Sequence, residues 1–405
     1  MTVPGGPQPL ARLRVFLVAV EESGDRLGAA LMRALRMRAD ATVEFSGVGG
    51  REMESEGISS LHSIHDFSII GFTALPRRLP NNIRRLRETV RTILAQKPNV
   101  LVIIDSPGYT LRLARFVRRG DPTIPIVEYV SPSVWAWRAG RAKMMRRCID
   151  HVLALLPFEP EALRRLGGPP CSFVGHPLTE EVAEFRPSVE EARRRLSDPP
   201  VLLVLPGSRT GEIRRLSEVF GQALARLRDR IGPLDVVLPT VPQHLDQVKA
   251  ATASWPVQPR IVTGQAEKQA AFRIARVALA KSGTVTLELA LAGVPMVAAY
   301  KVSALEAFVA RRLIRVPSVI LANLVIGENV VPELLQDECT PEPLAAMLAQ
   351  LVADTPERKH QLDAFERLDA IMEIGRSAPA ARAADIVLAV ARRTGPPFAG
   401  ETSKL

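Results

Sequence analysis

Asp105 ends a wholly apolar run, Val100–Ile104, and is followed by Ser106-Pro107. A carboxylate at the lip of a buried strand can act as a general base once its neighbours tune it. A turn Asp before Pro reads equally well from spacing alone. In Glu21-Glu22-Ser23-Gly24-Asp25 a strand meets small residues and then a helix. Helix N-termini hold anions or hydroxyl-rich groups through free N–H groups and a positive dipole end. Capping by Ser23 or Asp25 accounts for the same residues without a ligand.

Two more glycine turns follow strands: Leu205-Pro206-Gly207-Ser208-Arg209, and Lys281-Ser282-Gly283-Thr284. Small residues let backbone N–H groups approach a phosphate, and Arg209 adds a fixed charge. Glu288 follows Thr284 by about one helical turn, within reach of a ribose hydroxyl pair. Capped helix starts again explain the same residues. Neither turn has the spacing of a dinucleotide fingerprint or a Walker A loop. A further cluster is Ser131-Pro132-Ser133-Val134-Trp135-Ala136-Trp137-Arg138, with Arg141, Lys143, Arg146 and Arg147 behind it. Indole faces stack on sugars or apolar chains, and Arg forks onto phosphate. A core Trp pair beside a solvated basic helix is the structural alternative, and nucleic acid a third.

These residues need strands and helices to place them. Apolar-rich runs at Val15–Val20, Val43–Val48, Val100–Ile104, Ile124–Val130 and His151–Leu156 alternate with helical stretches. The pattern restarts at Val201–Leu205 and continues through Asp235–Leu238, Arg260–Val262, Val277–Ala280 and Pro295–Ala299. Such runs imply parallel sheets covered on both faces. The reading is α/β, with two doubly wound units and ligands outside the carboxyl ends of the strands. Boundaries are expected at 1–185 and 186–378. An apolar helix near 381–393, in the last segment 379–405, is expected to cross back onto the first unit.

The 405 residues carry 53 Lys+Arg against 43 Asp+Glu, a formal +10. That excess suits nucleic acid, phosphorylated ligands or an anionic membrane. No apolar run approaches the length of a spanning helix. Cys148, Cys171 and Cys339 share no close spacing, so neither a disulfide framework nor a zinc site is expected, and a reducing compartment fits. No D-x-D pair offers a carboxylate site for Mg2+. No metal and no other cofactor is therefore expected. The segment Phe67–Pro76, containing Ile69, Ile70, Phe72 and Leu75, is apolar and runs into Arg77, Arg78 and further arginines up to Arg91. An apolar stretch beside a basic one suits interfacial binding. An ordinary amphipathic element is the alternative.

In order along the chain, these motifs resemble the lipid-A-disaccharide synthase family. Leu156-Pro157-Phe158-Glu159, Val174-Gly175-His176-Pro177-Leu178, Pro295-Met296, Asn323 and Val331-Pro332-Glu333-Leu334-Leu335-Gln336 carry the resemblance further. It implies a GT-B fold, two Rossmann-like domains facing across a cleft, and an inverting glycosyltransferase. That reaction moves 2,3-diacylglucosamine from UDP to the 6-hydroxyl of 2,3-diacylglucosamine 1-phosphate. By likeness, Gly207, Ser208, Arg209, Ser282, Gly283, Thr284, Glu288, Asn323, Glu333 and Gln336 hold the donor. Asp105 and Glu21 are catalytic, and Ser23, Asp25, Ser131, Trp135, Trp137 and Arg138 take the acceptor. The partners implied are those two lipids and an anionic membrane surface, with no nucleic acid; a homodimer is left open. The place implied is the cytoplasmic face of the inner membrane. The sequence departs from the family at Val20, Glu22 and Gly108-Tyr109-Thr110. Competing readings are another GT-B enzyme on UDP-N-acetylglucosamine, transferase or 2-epimerase, a non-catalytic UDP-sugar-binding relative, and a nucleic-acid-binding protein.

Changing Ile69, Ile70 and Phe72 to Ser is expected to weaken flotation with anionic liposomes at least tenfold, about 1.4 kcal/mol; unchanged flotation contradicts an interfacial role for this segment.

Overall fold

The computed structural model describes residues 12–64, 75–303, 306–308, 312 and 316–392. It divides into two units, residues 1–177 with 376–405 and residues 178–375. The first change of unit thus falls before the expected residue 185. The short helix Val182–Phe185 belongs with the second unit because its Phe185 ring lies 6.0 Å from Phe272 of that unit. The Arg273 guanidinium also donates to the Glu184 carbonyl at 2.8 Å.

In the first unit, six parallel strands run β1 (Arg12–Ala19), β2 (Thr42–Val48), β3 (Val100–Ile104), β4 (Ile126–Tyr129), β5 (His151–Ala154) and β6 (Cys171–Phe173). Their spatial order is β2-β1-β3-β4-β5-β6. The chain therefore reverses its direction of sheet growth between β1 and β3. Every residue of β3 and β4 is buried. One face, with Leu17, Val102 and Tyr129, is covered by the helix Glu22–Arg38 and by the terminal helix Pro379–Ala391. The other, with Phe16, Leu101 and Ile103, is covered by the helices Leu75–Gln96, Thr110–Gly120 and Gly140–Met145. Coverage on both faces is why these strands read as unbroken apolar runs.

The second unit holds β7 (Val201–Leu205), β8 (Asp235–Thr240), β9 (Arg260–Thr263), β10 (Val277–Lys281), β11 (Met296–Tyr300) and β12 (Glu333–Leu335). The order β12-β11-β10-β7-β8-β9 is that of a doubly wound dinucleotide-type sheet, with its reversal between β7 and β10. Helices Thr210–Ile231 and Pro341–Val352 seal one face around Phe220, Leu224 and Leu348. Trp255 is buried in the same cluster.

The terminal helix supplies Ala383, Ala384, Val387 and Leu388 to the first unit's core. Leu388→Ala should cost about 3 kcal/mol of stability, read from the urea unfolding transition of the full chain. A loss below about 0.5 kcal/mol, the usual range of a surface substitution, would contradict this packing.

Candidate functional site

The reactive residues of the first unit meet where its sheet reverses. Glu21 follows β1 and opens the helix Glu22–Arg38. Asp105 and Ser106 follow β3, and the Ser106 hydroxyl donates to Glu21 Oε1 at 2.6 Å. This bond spans the gap between the two strand ends. Asp105 (φ 52°) and Ser106 (φ 46°) are both left-handed, and after β4 so is Val130 (φ 80°). A β-branched residue there is a true outlier, and such strain collects at functional turns. The Asp105 N–H donates to the Tyr129 carbonyl at 2.9 Å, and the Thr110 hydroxyl to the Asp105 carbonyl at 2.7 Å. The turn is thus held from both sides. Burial, and then the nearby Glu21 charge, raise the Asp105 carboxyl above its ordinary value, against a lowering hydrogen bond from the Ser106 backbone. A carboxylate with raised proton affinity is a better general base near neutral pH.

The neighbouring residues divide into scaffold and exposed surface. Asp25 is buried and accepts from the N–H groups of Gly50, Glu52 and Met53 at 2.7–3.1 Å. It anchors the next helix, Arg51–Ser55, so its carboxylate is spent on backbone and not presented to an acceptor. Ser23 is exposed in the first turn of its own helix. Trp135 is locked inward: its Nε1 donates to Glu159 at 3.2 Å and its ring meets Phe158 edge-on at 5.0 Å. Ser131 is also buried. Trp137 is exposed, with the Arg138 and Arg141 guanidinia 4.3 and 5.8 Å from its ring. Only the second indole is therefore a platform beside charge. Val20 packs into the apolar cluster without a left-handed backbone, so that departure from the family is absorbed as core.

The second unit carries a cavity of about 550 Å³ at its own sheet reversal. Gly207, Ser208 and Arg209 enter it from the end of β7, and Gly283 and Thr284 from the end of β10. Gly207 has φ 118°, and a Cβ there would lie 2.4 Å from Glu212 Oε2, so only glycine fits. The helix Thr210–Ile231 starts at this turn without a side-chain cap, as a helix start that binds an anion would. Arg209 is 82% exposed. Glu288 lines the cavity and pairs with Lys268. Lys281 pairs with Glu212 at 3.0 Å. Lys268, inside the helix Gln265–Ile274 after β9, carries no local signal in the sequence, and Lys281 belongs to the Lys281-Ser282-Gly283-Thr284 turn without a role of its own there.

Four expected donor residues stand outside the cavity wall. The Asn323 amide accepts from Val330 N and Val331 N and donates to the Val331 carbonyl and to Glu333. Glu333 accepts from the Ser318 hydroxyl and Val319 N. Gln336 accepts from Val302 N at 2.8 Å, and Ser282 donates to the Val319 carbonyl at 2.8 Å. Their polar atoms are taken up by backbone and by one another. They brace the segments beside the Ser282-Gly283-Thr284 turn, and none of the four lines the cavity.

Ile69, Ile70 and Phe72 lie outside the described residues, as do the side chains of Leu75, Arg77 and Arg78. Among the described residues no group of three or more His, Cys, Asp or Glu is placed to hold a metal ion. No described helix is long and apolar enough to cross a membrane.

The family model described as lipid-A-disaccharide synthetase matches residues 15–387. A lipid-A-disaccharide synthase of Nitrobacter hamburgensis is 61% identical over 375 residues, 93% of this chain and 95% of that one. Among solved structures, a putative UDP-N-acetylglucosamine 2-epimerase from Listeria monocytogenes aligns with a TM-score of 0.59 at 15% identity, covering 96% of this chain and 99% of that one. Acinetobacter baumannii MurG aligns with a TM-score of 0.54 at 14% identity, covering 94% and 100%. The last two likenesses concern the fold alone.

Glu159 carries a test of the locked Trp135. Burial pushes its carboxyl up to about 7, against lowering hydrogen bonds from Leu156 and Trp135. A raised folded value means the fold favours the protonated acid. That stability is complete below the unfolded value near 4.5 and is lost as pH rises through 7. From pH 4 to pH 8, Glu159→Gln should gain roughly 3 kcal/mol relative to wild type, measured by urea unfolding. A gap independent of pH would contradict the assignment.

Proposed function

This chain belongs to the lipid-A-disaccharide synthase family, glycosyltransferases that make the lipid A disaccharide, and we propose how its residues divide that reaction. The C-terminal unit takes UDP-2,3-diacylglucosamine, and Asp105 of the N-terminal unit activates the 6-hydroxyl of 2,3-diacylglucosamine 1-phosphate. One observation carries the donor half of this reading. Two glycine turns meet at the reversal of the second sheet, in a cavity that also holds Arg209, Lys268 and Lys281.

UDP would lie with its diphosphate on the Gly207–Arg209 turn and the first N–H groups of the helix Thr210–Ile231. Arg209 is exposed and needs little rearrangement to fork onto a phosphate. Lys281, now paired with Glu212, stands ready to exchange its carboxylate for the diphosphate. Glu288 would turn from Lys268 to the ribose hydroxyls. As the bond from the anomeric carbon to the diphosphate breaks, negative charge grows on the leaving oxygen. Cations fixed beside that oxygen act more strongly on the transition state than on the ground state.

The acceptor oxygen attacks from the opposite face, and the anomeric centre inverts. Its O–H bond breaks, the electron pair forms the new glycosidic bond, and the proton passes to Asp105. Ser106, hydrogen bonded to Glu21, keeps the turn in shape while this happens. Trp137 with Arg138 offers an indole face and a guanidinium to the acceptor's sugar and phosphate. Ser23, in the first turn of the helix after β1, and Ser131, just past β4, are secondary candidates. Both substrates are lipids, and the apolar segment Phe67–Pro76 with its arginines suits a peripheral enzyme on the anionic cytoplasmic leaflet.

Arg209→Ala should weaken UDP binding at least tenfold, about 1.4 kcal/mol, by calorimetry. Asp105→Asn should lower disaccharide formation by about 10²–10⁴-fold while UDP binding stays at the wild-type value. Turnover surviving in Asp105→Asn would remove the base, and unchanged UDP affinity in Arg209→Ala would remove the donor site.

A further inference from the structure

Glu128 sits mid-strand in Ile126-Val127-Glu128-Tyr129, where every residue is buried. It is 0% exposed, and neither carboxyl oxygen has a hydrogen-bond partner among the described residues. A carboxyl in a strand sealed on both faces is costly, and charging it costs far more. The mechanism above makes no use of it. Its position is not arbitrary. The register pairs Glu128 with Ile103 on β3. Alternation places its side chain on the face of Ile126 and Ile103, the face whose apolar cluster also holds Val134, Ala142 and Met145. The chain then reaches the strained turns at Asp105 and Val130, joined across the two strands by Asp105 N donating to Tyr129 O.

Asp105, from the end of β3, opposes ionisation of Glu128, and Arg141, from the helix Gly140–Met145, favours it. Burial outweighs both and holds Glu128 well above the ordinary carboxylate range. The Cys148 and Cys171 thiols also face Glu128; both are pushed up, Cys148 to about 11, chiefly by burial. Glu159 acts on Cys171, and Arg115, Arg118 and Asp150 act on Cys148. Asp105 itself feels the Glu21 charge. Asp105 lies at a turn and Glu128 inside the sheet, so the first proton to leave the pair leaves Asp105. The charge it leaves behind then opposes loss of the second.

We propose that Asp105 and Glu128 hold one proton between them: Glu128, sealed inside the sheet, keeps it, and Asp105, at the turn, keeps the negative charge. The inference rests on reading Asp105 as the base. Glu128 is then a positioning residue. It fixes the pair's single charge on the one carboxylate that the acceptor hydroxyl can reach. In the transfer step the hydroxyl proton goes to Asp105, the oxygen's electron pair goes to the anomeric carbon, and Glu128 gives up nothing. At alkaline pH Glu128 loses its proton, and the dry region carries two negative charges. Proton affinity raised in the fold means stability present at low pH and lost as pH rises through the folded value. Both local stability and turnover should therefore fall on the alkaline side.

The test uses the full chain as wild type, Glu128→Gln, Asp105→Asn and the double variant. Amide-exchange protection of the β3 and β4 peptides is measured at each pH from 5 to 9, together with disaccharide formation. The protection ratio of Glu128→Gln to wild type should rise at least tenfold across that range. On the Asp105→Asn background the rise should be at least threefold smaller, because the opposing charge is gone. The alkaline fall in kcat/KM should move or vanish in Glu128→Gln. An equal rise on both backgrounds, or superimposed pH–rate profiles, would overturn the shared proton whatever Asp105→Asn does to turnover. If Asp105→Asn keeps turnover while the coupling persists, the base reading fails and the one-proton pair stands. Should Glu128→Gln not fold, Glu128→Leu fills the same space without a polar partner and enters the same cycle.

Discussion

A parallel strand covered on both faces has nothing to offer a ligand except its end. This constraint shapes both units. β3, β4 and β7 are buried along their whole length, so groups that touch substrate must come from the turns that follow. Those turns must leave the sheet sharply while the next helix packs back onto it. The price is left-handed backbone at Asp105, Ser106, Val130 and Gly207. Where the sheet order reverses, neighbouring turns diverge and leave space between them. Glu21 and Ser106 face each other across one such place, and the Gly207 and Gly283 turns line the other.

The two reversals carry opposite electrostatics. In the first unit burial dominates, and Asp105 and Glu159 are both raised above their ordinary values. Such surroundings make bases of carboxylates. In the second unit the cations sit in or beside a solvated cavity, paired with Glu212 and Glu288. Pairing holds Lys268 and Lys281 in place at little cost, and an anion richer in charge than a carboxylate can displace the acids. Proton transfer suits the first surroundings, and stabilisation of a leaving diphosphate suits the second.

Much of this was legible in the sequence because it depends on patterns of period and punctuation. The apolar-rich runs marked ten of the strands, and the glycine turns after them marked the Asp105, Gly207 and Gly283 positions. What escaped was decided by three-dimensional neighbours. β6 and β12 are three residues each and only partly buried, too short for any periodicity to show. Asp25 has the residue type of a ligand but is spent on three backbone N–H groups of another helix. Trp135 and Trp137 look alike in sequence; Glu159 and Phe158 draw one inward and leave the other on the surface. Asn323, Glu333 and Gln336 likewise spend hydrogen bonds on neighbours that their own motif residues do not reveal: Val330 and Val331 for Asn323, Ser318 and Val319 for Glu333, and Val302 for Gln336. Glu128 did leave a signal, a lone acid inside an apolar strand.

The central claim is that burial at the end of β3 makes a base of Asp105. Carbon-13 carboxyl titration of Asp105, with the Asp105→Asn variant to assign its resonance, tests this without reference to turnover. The midpoint should lie above the ordinary aspartate range, which is near about 3.9. A midpoint at or below that range would contradict it.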